Sequence, residues 1–129
     1  MFLINNKLGI IWSLVIVGVC LIPGKNLPET SFLDGLGIDK IIHAFFYLVL
    51  ILLVTRGLLK PSNYSFSRNK AIVVAFLYCA FFGIGIEFMQ SAFVASRTGD
   101  VFDVLANNIG AFIGVLIILK YTKRKTEKV

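Results

Sequence analysis

Four apolar runs constrain this chain more than any other feature. They cover about residues 6–22, 38–59, 71–90 and 101–119, and the stretches between them hold charges and turn formers. A bilayer's hydrocarbon core of about 30 Å takes roughly 20 apolar residues in a helix. The pattern predicts an all-α protein: a four-transmembrane-helix bundle in one domain over residues 1–129, with a basic surface tail over 120–129. The first run is short for a full span, and tilt or local thinning of the bilayer accommodates that. Composition agrees, since 57% of the residues are hydrophobic and only 16% charged, against about half and a quarter in a soluble domain.

The net charge of +6 raises a nucleic-acid partner, but its placement argues against one. Arg56, Lys60, Arg68 and Lys70 share one loop, and the tail from Lys120 onward holds five of the other nine. No aromatic residues interleave with these charges in a nucleic-acid motif. Loops rich in lysine and arginine face the cytoplasm, so the loop 56–70 and both termini are expected inside. The loops 23–40 and 91–100 are then outside, and the expected address is a bacterial cytoplasmic membrane. Cys20 and Cys79 lie within apolar runs, without metal-ligand spacing, and read as small buried residues. Val19 before Cys20 argues against lipidation, and no A-x-A-like site follows the first run, so that run reads as a retained anchor.

Charged and amide groups inside such spans are costly and are functional candidates. Asp39, His43 and Tyr47 recur every four residues and share one face of the second helix. Glu87 and Gln90 end the third helix, Arg97 and Asp100 lie in the turn, and Asp103 and Asn107 open the fourth helix. At 1.5 Å per residue, Glu87 lies about 25 Å beyond Lys70, and Asp103 about 25 Å from Lys120. His43 is about 6 Å inside the start of its helix. Three helices thus bring His43, Glu87 and Asp103 to one depth below the outer surface, with Asn107 a turn deeper. Isolated carboxylates there are expensive, so pairing with Arg97, with His43 or among themselves is expected. The object predicted is an outward-opening polar pocket with apolar walls, suited to an amphiphile. Its ligand-binding candidates are His43, Glu87, Gln90, Arg97, Asp103 and Asn107, supported by Asp39, Tyr47 and Asp100. Gly83 lies in a small-residue stripe with Ala75 and Cys79, and Gly110 and Gly114 form a second; both read as helix-packing surfaces.

The same residues resemble the VanZ-like family of bacterial membrane proteins. The matching pieces are Pro23-Gly24-x-x-Leu27-Pro28, Asp39-Lys40-x-x-His43-x-x-x-Tyr47, Glu87-x-x-Gln90, Arg97 and Asp103-x-x-x-Asn107-x-x-Gly110-x-x-x-Gly114. Each is weak alone, and order and spacing make the set specific. The resemblance implies a multi-pass membrane protein linked, through the family's namesake, to resistance against teicoplanin-type glycopeptides. It brings no settled reaction.

Three roles follow. The first, which the reading favours, is binding or modulation of a lipid-linked envelope precursor or of glycopeptide access, with Arg97 meeting phosphate or carboxylate. The second is an enzyme on a lipid head group, using Glu87 and Asp103 as a carboxylate pair or His43 as a base; no nucleophile motif surrounds Ser91 or Ser96. The third is a transporter, which the lack of ionisable groups in the inner halves of the last three runs disfavours. Structural readings stand beside these: Arg97 with Asp100 or Asp103 clamping a hairpin, or Asp103 capping the fourth helix. One histidine is thin support for a metal, so no metal or cofactor is assigned. Gly110 and Gly114 leave the oligomeric state open.

Overall fold

A computed structural model describes residues 2–22, 37–60, 66–94 and 99–126, with side chains over 4–22, 37–60, 66–94 and 99–121. The described residues form helices and no strands: α1 (Phe2–Asn5), α2 (Lys7–Cys20), α3 (Ile38–Leu58), α4 (Arg68–Phe93) and α5 (Val101–Thr126). The first apolar run is broken at Asn6, a polar step between α1 and α2. Three helices, α3, α4 and α5, are long and apolar enough to cross a membrane, and α2, at 14 residues, is shorter. Large side chains such as Phe81, Phe88, Phe93 and Phe112 point outward. An apolar coat on that scale suits lipid rather than water and marks a membrane protein.

Helix ends follow local chemistry. Gly37 stands before α3 with φ 64°, a conformation open to glycine at little cost. Ser67 caps α4, accepting from the Lys70 N–H at 3.4 Å, so α4 starts three residues before the predicted 71. Asp100 caps α5: its Oδ1 accepts from the Phe102 N–H at 2.8 Å, the usual bond of an N-cap aspartate. The cap is therefore Asp100, not Asp103. The sequence predicts an end to the last helix at 119, but α5 continues to Thr126. Lysine and arginine are good helix formers, and their charge is favourable at a helix C-terminus, so nothing in Lys120–Lys125 stops it.

The helices pack around α3. Its broadest contact is with α5, which runs parallel to it, while α2 and α4 run antiparallel. Glycines set the α3–α5 distance. A Cβ at Gly110 would strike the backbone carbonyl of Ala44, and one at Gly114 the side chain of Ile51. The stripe Ala71, Ala75, Cys79, Gly83, Glu87 is the buried face of α4. The core is Ile16, Tyr47, Leu50, Ile51, Leu58, Ala75, Cys79 and Ile86. Hydrogen bonds among the described residues fasten α2. Trp12 Nε1 donates to the Phe46 carbonyl at 3.0 Å, so Trp12 is a packing residue. Ser13 spends its proton on the Gly9 carbonyl at 2.9 Å, so Tyr78 Oη, 2.9 Å away, donates to Ser13 Oγ. Gln90 Nε2 donates to the Cys20 carbonyl at 2.8 Å, satisfying a backbone acceptor that the end of α2 leaves open.

Candidate functional site

The start of α3, the end of α4 and the start of α5 meet at one end of the bundle. There the polar side chains form a continuous chain of contacts. Glu87 Oε2 accepts from the Asp100 backbone N–H at 3.0 Å. Asp100 Oδ2 accepts from Lys40 Nζ at 2.8 Å, and the same ammonium donates to Asp103 Oδ1 at 3.0 Å. Asp103 Oδ2 stands 3.9 Å from His43 Nε2, and Asp39 Oδ1 stands 3.9 Å from it on the other side. His43 Nδ1 is 3.1 Å from Asn107 Oδ1. Because an amide oxygen only accepts, the histidine carries a proton on Nδ1 in this pairing, and its Nε2 faces the two aspartates.

Each helix supplies its part for a local reason. The four-residue spacing of Asp39 and His43 keeps them on one face of α3. The same spacing puts Asp103 and Asn107 on one face of α5, where both are buried. Gly83 sits one turn before Glu87 and makes room: a Cβ there would lie 3.1 Å from Asn107 Nδ2 and 3.4 Å from Tyr47 Oη. Between the ends of α4 and α5 lies an open depression of about 270 Å³, lined in part by Glu87, Ser91, Gly99 and Asp100.

Several polar atoms here lack a partner. Glu87 is 7% exposed, and Tyr47 and Asn107 are 1% exposed each. Yet Glu87 Oε1, Tyr47 Oη and Asn107 Nδ2 have no hydrogen bond among the described residues. A buried polar atom left unpaired costs about 1–3 kcal/mol, so three at one end call for an explanation. Electrostatics at the mouth run the other way. The hydrogen bond from Lys40, then that from the Phe102 N–H, hold the Asp100 carboxyl below the ordinary aspartate range.

His43, Glu87, Asp103, Asn107, Asp39, Tyr47 and Asp100 thus gather at one place. Gln90 does not join them, since its amide is committed to α2. Arg97 lies outside the described residues, as do Pro23-Gly24-x-x-Leu27-Pro28. Lys40 is the residue that sequence reasoning missed. It carries the ion pairing expected of Arg97, and it also sits 5.9 Å from the Phe102 ring centroid. A signal was present: on its own helix Lys40 faces His43 and Ala44 at i+3 and i+4, neither an acid. Its partner had to come from another helix.

A family model for VanZ/LLP1 matches residues 5–122. The chain belongs to the VanZ/LLP1 family. It is also 38% identical over 92 residues to an uncharacterised protein of Schizosaccharomyces pombe, a match that covers 70% of this chain and 52% of that protein. The chain therefore spans about half the length of this relative. No solved structure matches it. The VanZ/LLP1 match takes in α2 to α4, most of α5 and every residue of the polar network.

Proposed function

We propose that this VanZ/LLP1 protein binds the polar head group of a membrane amphiphile in the network between α3, α4 and α5. The observation that carries the reading is the set of buried, unpaired polar atoms at the mouth of an apolar bundle: Glu87 Oε1, Tyr47 Oη and Asn107 Nδ2. A head group bearing both donors and acceptors would satisfy all three, while its acyl chains stay in lipid. In this reading His43, Glu87, Asp103 and Asn107 contact the head group, Asp39, Lys40 and Asp100 frame the site, and Arg97 is proposed to supply a further cation.

In this reading the chain is one membrane domain of four spans. Counted together, α1, Asn6 and α2 rise about 28 Å, close to the ~30 Å hydrocarbon core. Lys7, Arg56, Lys60, Arg68, Lys70 and Lys120 lie at the end opposite the polar network, and this bias supports a reading with that end and both termini in the cytoplasm. The pocket then opens on the outer leaflet. In a bacterial cytoplasmic membrane its ligand is a lipid-linked envelope precursor, and binding it modulates the action of teicoplanin-type glycopeptides. The relative in a eukaryote supports a lipid head group, a chemistry common to many membranes, over the drug itself as ligand.

The test compares wild type, Glu87→Gln, Asp103→Asn and an empty vector at matched membrane expression in a glycopeptide-susceptible host. Teicoplanin susceptibility is read together with retention of radiolabelled lipid-linked precursor by the purified chain in nanodiscs. Wild type should protect and retain precursor, and both variants should lose both properties. Precursor retention without protection would keep the pocket and remove the resistance role. Neither property in wild type would overturn the proposal.

A further inference from the structure

We propose that Asp39, His43 and Asp103 form a binding site for one divalent cation, of the class that takes mixed nitrogen and carboxylate ligands, such as Mn²⁺ or Zn²⁺. The inference goes beyond head-group binding and does not rest on it.

Spacing is the first ground. One ligand atom from each residue lies within 4.8 Å of the other two, with both carboxylate oxygens 3.9 Å from His43 Nε2. A hydrogen-bonded imidazolium–carboxylate pair would close to about 2.7–2.9 Å. The observed separations are too long for that, but they suit ligands on opposite sides of one ion. A point equidistant from three atoms so spaced is no more than about 2.5 Å from each, a few tenths of an ångström beyond the ~2.0–2.2 Å of a bound Zn²⁺. Asp39 is exposed, so a small torsion of its side chain closes the difference.

Histidine orientation is the second ground. The His43 side chain is 5% exposed. Its Nδ1 is engaged by Asn107, and its Nε2 makes no hydrogen bond among the described residues while facing two carboxylates. Metal-bound histidines characteristically give their other ring N–H to a carbonyl or carboxylate, which fixes tautomer and ring angle. Asn107 is placed for that task, on the buried face of α5 one turn below Asp103.

Charge is the third. Asp39, Glu87, Asp100 and Asp103 share the described network with one ammonium, Lys40. Lys40 takes Oδ1 of Asp103 and leaves Oδ2 toward the histidine. Glu87 keeps a buried, unpaired oxygen in the same network. An added cation relieves this excess of negative charge, most of all at Asp103 and Glu87, which are buried. Three protein ligands leave open positions, as at catalytic and substrate-binding metals rather than closed structural ones.

The test uses the full chain in detergent or nanodiscs, stripped with a chelator, without any lipid-linked ligand. Mn²⁺ uptake is followed by electron paramagnetic resonance and Zn²⁺ uptake by calorimetry. Wild type should take up one ion per chain, and the spin echo of bound Mn²⁺ should carry nitrogen modulation from an imidazole. His43→Gln should abolish that modulation and weaken binding by more than tenfold, as should Asp103→Asn. Asn107→Ala should weaken it about 10–100-fold, the usual effect of losing an orienting partner. Helicity and thermal melting verify that each variant is folded. The wild-type spin echo decides the matter even where a variant fails to fold. No saturable uptake by folded wild type, uptake without nitrogen modulation, or uptake unchanged in folded His43→Gln and Asp103→Asn would overturn the proposal.

Discussion

At the end of the bundle where α4 closes and α5 opens, polar side chains turn inward. His43, Glu87, Asp103 and Asn107 are buried there, and Glu87 Oε1 and Asn107 Nδ2 lack partners among the described residues. At the other end, where α2 begins and α3 finishes, the charges turn outward. Lys7, Arg56, Arg68 and Lys70 are exposed. Between them and the core lies an apolar groove of about 150 Å³, lined by Gly9, Ile10, Val54, Leu58, Val74 and Tyr78 with Asn6 at its edge. Charge does different work at the two ends. Exposed lysine and arginine keep their contact with polar surroundings and cost the fold little. Buried carboxylates and amides lower the stability of the fold unless something satisfies them, so that end is where a ligand or ion adds most.

Glycine substitutions should break the comparison most sharply. At Gly110 a Cβ meets the backbone carbonyl of Ala44, which cannot move without shifting α3 against α5. Overpacking typically costs 1–3 kcal/mol, and Gly110→Ala is expected at about 3 kcal/mol, because the obstacle is main chain. At Gly57, near the basic end, the added Cβ meets first the buried Asn6 side chain and stands 3.0 Å from the Asn5 carbonyl oxygen. Gly57→Ala is expected to cost less than Gly110→Ala, about 1–2 kcal/mol, because its nearest obstacle is a side chain rather than main chain. Unfolding in mixed micelles, followed by circular dichroism, measures both. Equal losses would mean that α3 and α5 yield as easily as a single side chain does.

Asn107→Leu comes next and probes the polar end alone. The change keeps volume but leaves His43 Nδ1 without its acceptor in a site that is 4% exposed at the histidine. An orphaned buried group costs about 1–3 kcal/mol. Part of that returns because Asn107 Nδ2, itself unpaired, is removed as well. A net loss of about 1 kcal/mol in the same micelle assay is expected. No loss would mean that His43 finds another partner.

How much of this was legible in the sequence depends on which force set each feature. The three long helices follow from the length of apolar runs, which the bilayer dictates. The gathering of His43, Glu87, Asp103 and Asn107 follows from rise per residue applied to helices of known ends, which is one-dimensional arithmetic. The stripe through Ala75, Cys79, Gly83 and Glu87 is legible because burial repeats with helical period. Other features need interhelical geometry that no period contains. The bond from Gln90 to the Cys20 carbonyl depends on how α2 leans on α4. The choice of Asp100 over Asp103 as the cap of α5 depends on one turn of backbone. Lys40 as the cation between Asp100 and Asp103 depends on the rotation of α3 about its axis. The helical course of residues 120–126 was hidden for a different reason: a basic stretch reads equally as a solvated tail or as a helix whose last turns are favoured by its own charge.

The smallest effect is expected where α2 meets α4, and it separates packing from the polar network. Tyr78→Phe removes the bond that Tyr78 Oη gives to Ser13 Oγ. Ser13 keeps its own bond to the Gly9 carbonyl, so no buried donor is orphaned and only an acceptor lone pair loses its partner. Hydrogen bonds between membrane helices average about 0.6 kcal/mol, and a loss of that order is expected in the micelle assay. The ring remains, stacked on Phe82 at 5.7 Å between centroids, so the groove keeps its wall. The informative part is what should stay constant. Mn²⁺ uptake and precursor retention should match wild type, since Tyr78 lies well over two turns from Glu87 along α4 and touches nothing in the polar network. A fall in either would mean that the two ends communicate through α4, and that the division of labour between them is not the one drawn from burial and charge.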